Sequence, residues 1–487
     1  MGWLAQLFRK DKEQSRASSV FFTNTLGGAK ELFIPLKPGV VSMYSCGPTV
    51  YGPAHIGNLR AYVFSDTVAR VLTHAGYRVR RVINITDFGH LVSDGDEGED
   101  KMTKGLRAEG LPITLENMRI IAEKYTALFL EDLSLLNIDT DEIIFPRASD
   151  YIPEQIAFIA TLEQKSYAYR TKNGVYFDTA HFPSYGKLGG INVQNQQIGT
   201  RALRNSEKRN PADFVLWKPD SKLGWQSPWG LGFPGWHIEC SAMSRSLLGQ
   251  EIDIHTGGED HIAVHHNNEI AQSEAASGRT FVHYWMHNSF LTMHGEKASK
   301  SLGNSAYLAE VVSKGFDPLA LRYFFLQGHY RTPLSFSWDA LGGAASALDR
   351  LWKLSREVAL ESDRTSAPSD ARENFLVTMR DDLGTPQALS ILWESLRSED
   401  LSPEEKWGLI EVAEAHFGLS LIYPPVLPQT LTKEHIPGEI QELLAQREKA
   451  REVKDFKEAD RLRDEIEGCG YRVEDGPEGQ VLTMRTL

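Results

Sequence analysis

The 487-residue chain carries a formal charge of −13 and only three cysteines. Thiols so scarce and unpaired speak against a disulfide framework and for a reducing cytosol, and no apolar run reaches bilayer-spanning length. The acidic balance argues against indiscriminate nucleic-acid binding but not against a specific RNA contact through a local basic face.

The length suggests roughly three domains. The first residues, Met1 to Lys10, have too short an apolar stretch for a secretory signal and read as a simple extension. Val40 to Tyr44 reads as an apolar strand, followed by a loop rich in Gly and Pro from Gly47 to Gly57. Leu59, Val63, Val68, Val71 and Leu72 then recur at helical spacing, Gly76 can end that helix, and Val79 to Ile85 returns to a β-branched strand. Strand, glycine loop, helix, strand is a βαβ unit and predicts a parallel sheet.

From about Pro146 to Pro234, abundant Tyr, Trp, Gly and Pro indicate a separate small insert. The βαβ pattern then recurs, with Glu251 to His255, Thr256-Gly-Gly, a helix from about His265 to Ala276 and a strand from Phe281 to His287. Beyond Phe316 the chain turns helical, and Leu341 to Leu360 and Arg372 to Leu419 contain few breakers. The stretch from Tyr423 to Pro428 and on to Pro437-Gly438 reads as a linker. Ile440 to Ile466 then reads as one or two charged helices before a short tail.

Two of the three cysteines sit in dense motifs. Cys46 lies in Ser-Cys-Gly-Pro-Thr-Val-Tyr, ahead of His55-Ile-Gly-Asn58, and Cys240 ends Gly235-Trp-His-Ile-Glu-Cys, upstream of His265-His-Asn-Asn-Glu269. Soft thiolates suit Zn²⁺, and a helix puts His265 and Glu269 on one face, where both can reach one metal. For cysteines in general, two buried core thiols and a surface histidine are the commoner arrangement. His261 and His265, also four apart, form a rival pair to His265 and Glu269. His266, beside a candidate ligand, is expected to support it or to pack.

His55-Ile-Gly-Asn58 between strand and helix, with Lys297-Ala-Ser-Lys300-Ser301 later, resembles the signature pair of class I aminoacyl-tRNA synthetases. The physics suits that role. Gly57 lets the backbone approach ATP, the helix N-terminus favours phosphate, and Lys297 and Lys300 can neutralise charge on leaving pyrophosphate. The wider set of motifs resembles cysteinyl-tRNA synthetases. It comprises Cys46 to Tyr51, Asn84 to Asp87, Asn210 to Lys218, Gly235 to Met243, Lys297 to Asn304, and Asp455 to Asp460 with Asp475-Gly-Pro477. The likeness runs from about Phe21 to Gln480.

That resemblance implies cysteine, ATP and tRNA(Cys) as substrates, ATP being expected with Mg²⁺. It implies one Zn²⁺ on Cys46, Cys240, His265 and Glu269, and it puts Gly47, Thr49, Thr86, Trp236 and Asp260 around the amino acid. His55, Gly57, Asn58 and Lys300 become ATP contacts, with His55, Asn58, Lys297 and Lys300 catalytic. It also lifts Arg451, Phe456 and Lys457 of the terminal helix to candidate tRNA contacts, where charge alone describes an ordinary solvated helix. A zinc ion that takes the substrate thiolate directly removes the need for an editing site.

The implied fold is a doubly wound, Rossmann-type α/β domain split by an insertion, then a helical domain and a small C-terminal RNA-binding domain. The boundaries read 1–20, 21–145, 146–234, 235–320, 321–425 and 436–487. A cytoplasmic monomer without membrane attachment is expected. Three departures stand out. Asn58 replaces a common histidine, Ala298 replaces the usual methionine, and Phe88-Gly-His90 stand where acidic residues commonly follow Asp87. Asp94 to Asp100 reads as a solvated acidic insertion. The catalytic core also resembles the mycothiol-pathway cysteine ligase, which lacks the full terminal RNA-binding portion, and a non-catalytic RNA-binding paralogue is the rival from another class.

Overall fold

The computed structural model describes residues 19–88, 101–190, 207–293, 296–297, 306–425, 436–469, 471–476 and 479–484. The N-terminal extension, the acidic stretch 94–100 and Lys300 lie outside the described residues. The chain divides into two compact units, one ending at Ile422 and one starting at Tyr423.

The first unit opens with an antiparallel pair, β1 (Phe21–Asn24) and β2 (Ala29–Leu32). The first βαβ half follows as β3 (Val40–Ser45), α1 (Ile56–His74) and β4 (Arg78–Ile83). Helix α1 begins before its hydrophobic repeat, because His55 and Asn58 close a capping box. The Asn58 amide donates to His55 Nδ1 at 3.2 Å, and the Asn58 side-chain oxygen accepts from the His55 amide at 3.3 Å. Then come α2 (Lys101–Ala108), α3 (Leu115–Leu135), β5 (Ile143–Ile144) and α4 (Ile152–Gln164).

The insert forms its own antiparallel sheet from β6 (Ala168–Thr171), β7 (Gly174–Phe177), β8 (Phe214–Pro219) and β9 (Gly232–Pro234). The second half continues with α5 (Trp236–Leu248), β10 (Ile252–Gly258), α6 (His265–Ser277) and β11 (Val282–Asn288). The central sheet runs β11-β10-β3-β4-β5, parallel throughout. Its two halves meet at β3 and β10, so the strand order reverses there. The crevice beyond the carboxyl ends of these strands is where an open α/β sheet binds ligands.

Short strands β12 (Leu291–Met293) and β13 (Glu296–Lys297), then α7 (Leu308–Ser313), α8 (Pro318–Leu326) and β14 (Leu334–Phe336), lead into the helical part. That part contains α9 (Trp338–Glu361), α10 (Asp370–Arg380), α11 (Thr385–Arg397) and α12 (Pro403–Phe417). The breaker-poor stretch from Arg372 is thus broken between α10 and α11, where Asp382 and Leu383 take positive φ values of 58° and 57°. Distant partners hold that turn: the Asp382 carboxylate accepts from the Thr23 amide at 2.8 Å and the Tyr330 hydroxyl at 2.6 Å.

A buried ionic joint ties α1, β4 and α8 together. The Asp66 carboxylate accepts from Arg70 at 2.6 Å, Arg81 at 3.0 Å and Arg322 at 2.6 Å. Arg322 spends its remaining donors on the Phe417 and Leu136 carbonyls. Burial pushes the Asp66 carboxyl up, but the guanidiniums of Arg70, Arg322 and Arg81 outweigh it and hold it well below the usual range.

The second unit pairs α13 (Gly438–Glu452) with α14 (Phe456–Gly468) and closes with antiparallel β15 (Tyr471–Gly476) and β16 (Gly479–Met484). Its core is Ile436, Ile440, Ile466, Val473 and Leu482. Among the described residues no helix is long and apolar enough to cross a membrane.

Candidate active site

A cavity of about 420 Å³ opens at the crevice between β3 and β10. Cys46, Gly47, Thr49, His55, Gly57, Asn58, Trp236, Cys240, Asp260 and His265 line it, so most sequence-predicted site residues converge there. Thr86 does not line it. That side chain is buried and its hydroxyl donates to Glu239 Oε2 at 2.7 Å. Lys297 belongs to β13.

The loop after β3 is held by contacts that leave no room for alternatives. The Gly47 amide donates to Asn84 Oδ1 at 2.8 Å, and a Cβ on Gly47 would sit 1.5 Å from the Asn84 carbonyl oxygen. At the far side of the loop, α1 points its N-terminus at the cavity through His55, Gly57 and Asn58, the end of a helix that favours anions. Because His55 Nδ1 accepts the Asn58 amide, the neutral ring carries its proton on Nε2 as a donor.

At the base of the cavity, donor atoms of Cys46, Cys240, His265 and Glu269 all lie within 4.8 Å of one another. Zinc bonds of roughly 2.0–2.3 Å place tetrahedral donors about 3.3–3.8 Å apart, so modest side-chain contraction suffices. Two sulfurs, an imidazole and a carboxylate are a donor set that suits Zn²⁺. His265 Nε2 lies 3.0 Å from Glu269 Oε1, as their one-turn spacing on α6 allows. Burial opposes charge on this pair, yet each compensates the other. Glu269, faced by His255 and His265, is pulled down to about 2, and His265 is raised to about 10 chiefly by Glu269. Burial pushes the Cys46 thiol up, while the hydrogen bond from Cys46 draws Cys240 down.

Sequence reasoning missed how many histidines meet here. His255 on β10 donates its Nε2–H to Glu269 Oε2 at 3.0 Å, and His266 Nε2 lies 3.2 Å from Cys46 Sγ. Cys46, His255, His266 and Glu269 therefore form a second convergent group, while His261 belongs to neither group. Burial first, then neighbouring imidazoles, hold His266 and His287 well below the usual histidine range. His266 Nδ1 meets His287 Nε2 at 2.7 Å, which fits a residue supporting the donor cluster. His255 follows Asp253 on a strand whose alternation was legible, but only tertiary structure shows that its ring meets α6.

In the C-terminal unit Arg451, Phe456 and Lys457 are all exposed, around the junction of α13 and α14. Phe456 keeps 62% of its surface, unusual for a large apolar ring. Arg447 differs, being buried with its Nη1 donating to Gln480 Oε1 at 2.6 Å.

The split parallel sheet with its cavity at the strand reversal is the architecture of a class I aminoacyl-tRNA synthetase, and residues 32–346 match the class I (C) tRNA synthetase catalytic domain. Residues 433–481 match the cysteinyl-tRNA ligase anticodon binding domain. Cysteine–tRNA ligase 1 of Burkholderia lata is 46% identical over 458 residues, covering 92% of this chain and 94% of that protein. The cysteine–tRNA ligase of Treponema denticola is 42% identical over 482 residues, covering 93% and 97%. The fold is also similar to Mycobacterium tuberculosis methionyl-tRNA synthetase in complex with methionyl-adenylate, with TM-score 0.54, 16% identity, and 80% and 92% of the chains covered. The chain belongs to the cysteinyl-tRNA ligase family of class I synthetases.

Proposed function

We propose that the protein ligates cysteine to tRNA(Cys) in two steps at the cavity between β3 and β10. The observation that carries this reading is the convergence of Cys46, Cys240, His265 and Glu269 at the base of that cavity, with the α1 N-terminus at its edge. In the first step a cysteine carboxylate oxygen attacks the α-phosphate of ATP. A new O–P bond forms, the α–β bridging bond breaks, and pyrophosphate leaves with the electron pair. His55 Nε2–H and Asn58 donate to the phosphates, the α1 N-terminus adds its partial positive charge, and Lys297 and Lys300 neutralise charge on the leaving group. Positioning and charge stabilisation suffice, without a covalent enzyme intermediate. In the second step a hydroxyl of the terminal tRNA adenosine attacks the adenylate carbonyl and AMP leaves.

Cys46, Cys240, His265 and Glu269 hold one Zn²⁺ in this reading. When bound, the ion supplies a soft Lewis acid for the substrate thiolate, a bond serine does not make. Gly47 and Thr49 shape the wall, Trp236 covers the amino acid, Asp260 receives its ammonium group, and Thr86 acts from behind through Glu239. Arg451, Phe456 and Lys457 contact tRNA from the C-terminal unit, whose match to an anticodon binding domain speaks against the amino-sugar ligase alternative. The domain boundaries at 146, 235, 321 and 436 belong to the same proposal, as does a cytoplasmic monomer. The test is cysteine-dependent ATP–pyrophosphate exchange and charging of purified tRNA, run beside serine. Exchange with cysteine and little with serine is expected, and equal use of the two amino acids overturns the specificity assignment.

A further inference from the structure

Helix α2 reaches the cavity from outside both signatures. Its buried face holds Met102, Thr103 and Leu106, and Gly105 presses against the loop after β3. A Cβ at Gly105 would lie 2.8 Å from the Tyr51 carbonyl oxygen and 3.1 Å from Tyr51 Cβ, so only glycine lets the helix sit this close. That approach brings Lys101 and Lys104, three apart and so on one helix face, to the cavity wall. Among the described lining residues these lysines are the only permanent cations, and Asp260 is the only carboxylate.

The two lysines do not sit alike. Lys104 is exposed, whereas Lys101 is half-buried with its ammonium 5.4 Å from the centroid of the Trp236 ring. The same indole lies 4.3 Å from the His265 ring, centroid to centroid. Lys101 is therefore at the amino-acid end of the cavity, across Trp236 from the thiol cluster. A free amino acid brings one anion and one cation to that end, and Asp260 meets only the cation.

We propose that Lys101 binds the α-carboxylate of the amino-acid substrate. It completes a three-point reading in which the side chain meets the Cys46/Cys240 corner, the ammonium meets Asp260 and the carboxylate meets Lys101. This inference rests on the functional reading above and deepens it by assigning the carboxylate a partner. The contact also orients the attacking oxygen, because a carboxylate held at one oxygen presents the other to ATP. A charge-assisted hydrogen bond of this kind changes affinity by about 10- to 100-fold.

The experiment measures steady-state exchange with full-length Lys101→Met and Lys101→Arg, and uses cysteamine, which is cysteine without the carboxylate, as a competitive inhibitor. For Lys101→Met the KM for cysteine should rise at least tenfold. The inhibition constant for cysteamine should stay within twofold, and zinc content and melting temperature should match wild type. Lys101→Arg should recover most of the affinity. Equal weakening of cysteine and cysteamine overturns the proposal in favour of a packing role on Trp236. An unchanged cysteine KM, whether or not kcat falls, overturns it as well. If wild type exchanges and Lys101→Met matches it, this inference alone fails, whereas absence of exchange in wild type overturns the functional reading and this inference together.

Discussion

Two clusters of buried charge in the first unit invite comparison, the Asp66 joint and the Cys46/Cys240 corner. Most of their groups are buried, Cys46 and Arg70 only partly so, and they are satisfied differently. At the joint one carboxylate meets the guanidiniums of Arg70, Arg81 and Arg322, and spare Arg322 donors end on backbone carbonyls. The Asp66 carboxylate is thus met entirely by protein donors, although three guanidiniums exceed it in charge and Arg81 keeps Nε and Nη2 buried without a hydrogen-bond partner. At the corner, thiols, imidazoles and a carboxylate point lone pairs at one small volume, and within it each group leans on another donor of the same kind. Two thiols, imidazoles and a carboxylate gathered on one small volume are a donor set that suits a metal, whereas a carboxylate among guanidiniums is not. Burial alone does not separate structure from function here, but the chemistry of the converging groups does.

Breaking the joint is expected to give the largest effect. Asp66→Asn leaves buried guanidiniums uncompensated and should cost about 3–5 kcal/mol in urea unfolding. Its zinc content should equal wild type, and metal loss in a variant that still folds would erase the contrast. Next in size, Cys240→Ser should lose most bound zinc by elemental analysis and lower cysteine-dependent exchange by about 10²–10³-fold, the scale on which one transition-state contact matters. His261→Ala should keep its metal and Glu269→Gln should lose it, and the reverse pattern would hand the role to His261.

The pH dependence sharpens the same contrast. Asp66 has a folded pKa depressed below its unfolded value of about 3.9, so its contribution is fully present above that value and is lost as pH falls further, through the folded value. Between pH 5 and 7 the difference in stability between wild type and Asp66→Asn should be flat, narrowing only below about pH 4. Smallest in effect is the surface contact. Phe456→Ala should weaken tRNA binding by about 1–3 kcal/mol if the ring stacks on a base, with exchange unaltered. Removing everything after Pro437 should likewise preserve exchange while charging falls steeply.

The βαβ fold and the corner's donors are legible in the chain, the Asp66 joint is not, and the reasons are physical. The βαβ halves announce themselves through β-branched strands and glycine turns, while helical periodicity offers His265 with either Glu269 or His261 and only the family resemblance favours Glu269. Hydrophobic pattern does not say which of His237, His255, His261, His265, His266 and His287 share a volume, since that depends on how β10 and β11 register against α6. The break at Asp382 was equally hidden, because its left-handed turn is held by Thr23 and Tyr330 from far along the chain. Lys101 escaped for a related reason. Its helix carries no strong motif, and its place at the cavity depends on one glycine meeting Tyr51.

The separation of the corner's donors along the chain bears on how the enzyme is made. Cys46 and Glu269 are 223 residues apart in sequence, with Cys240 and His265 arriving late as well. At ribosomal speeds of about 5–20 residues per second, roughly 10–45 s pass between the emergence of the first donor and the last. Until Cys240 emerges, Cys46 is a lone thiol on a growing chain, without the partners that surround it in the finished fold. In the zinc reading proposed above, the metal site is then completed only late in biosynthesis, once Glu269 has emerged.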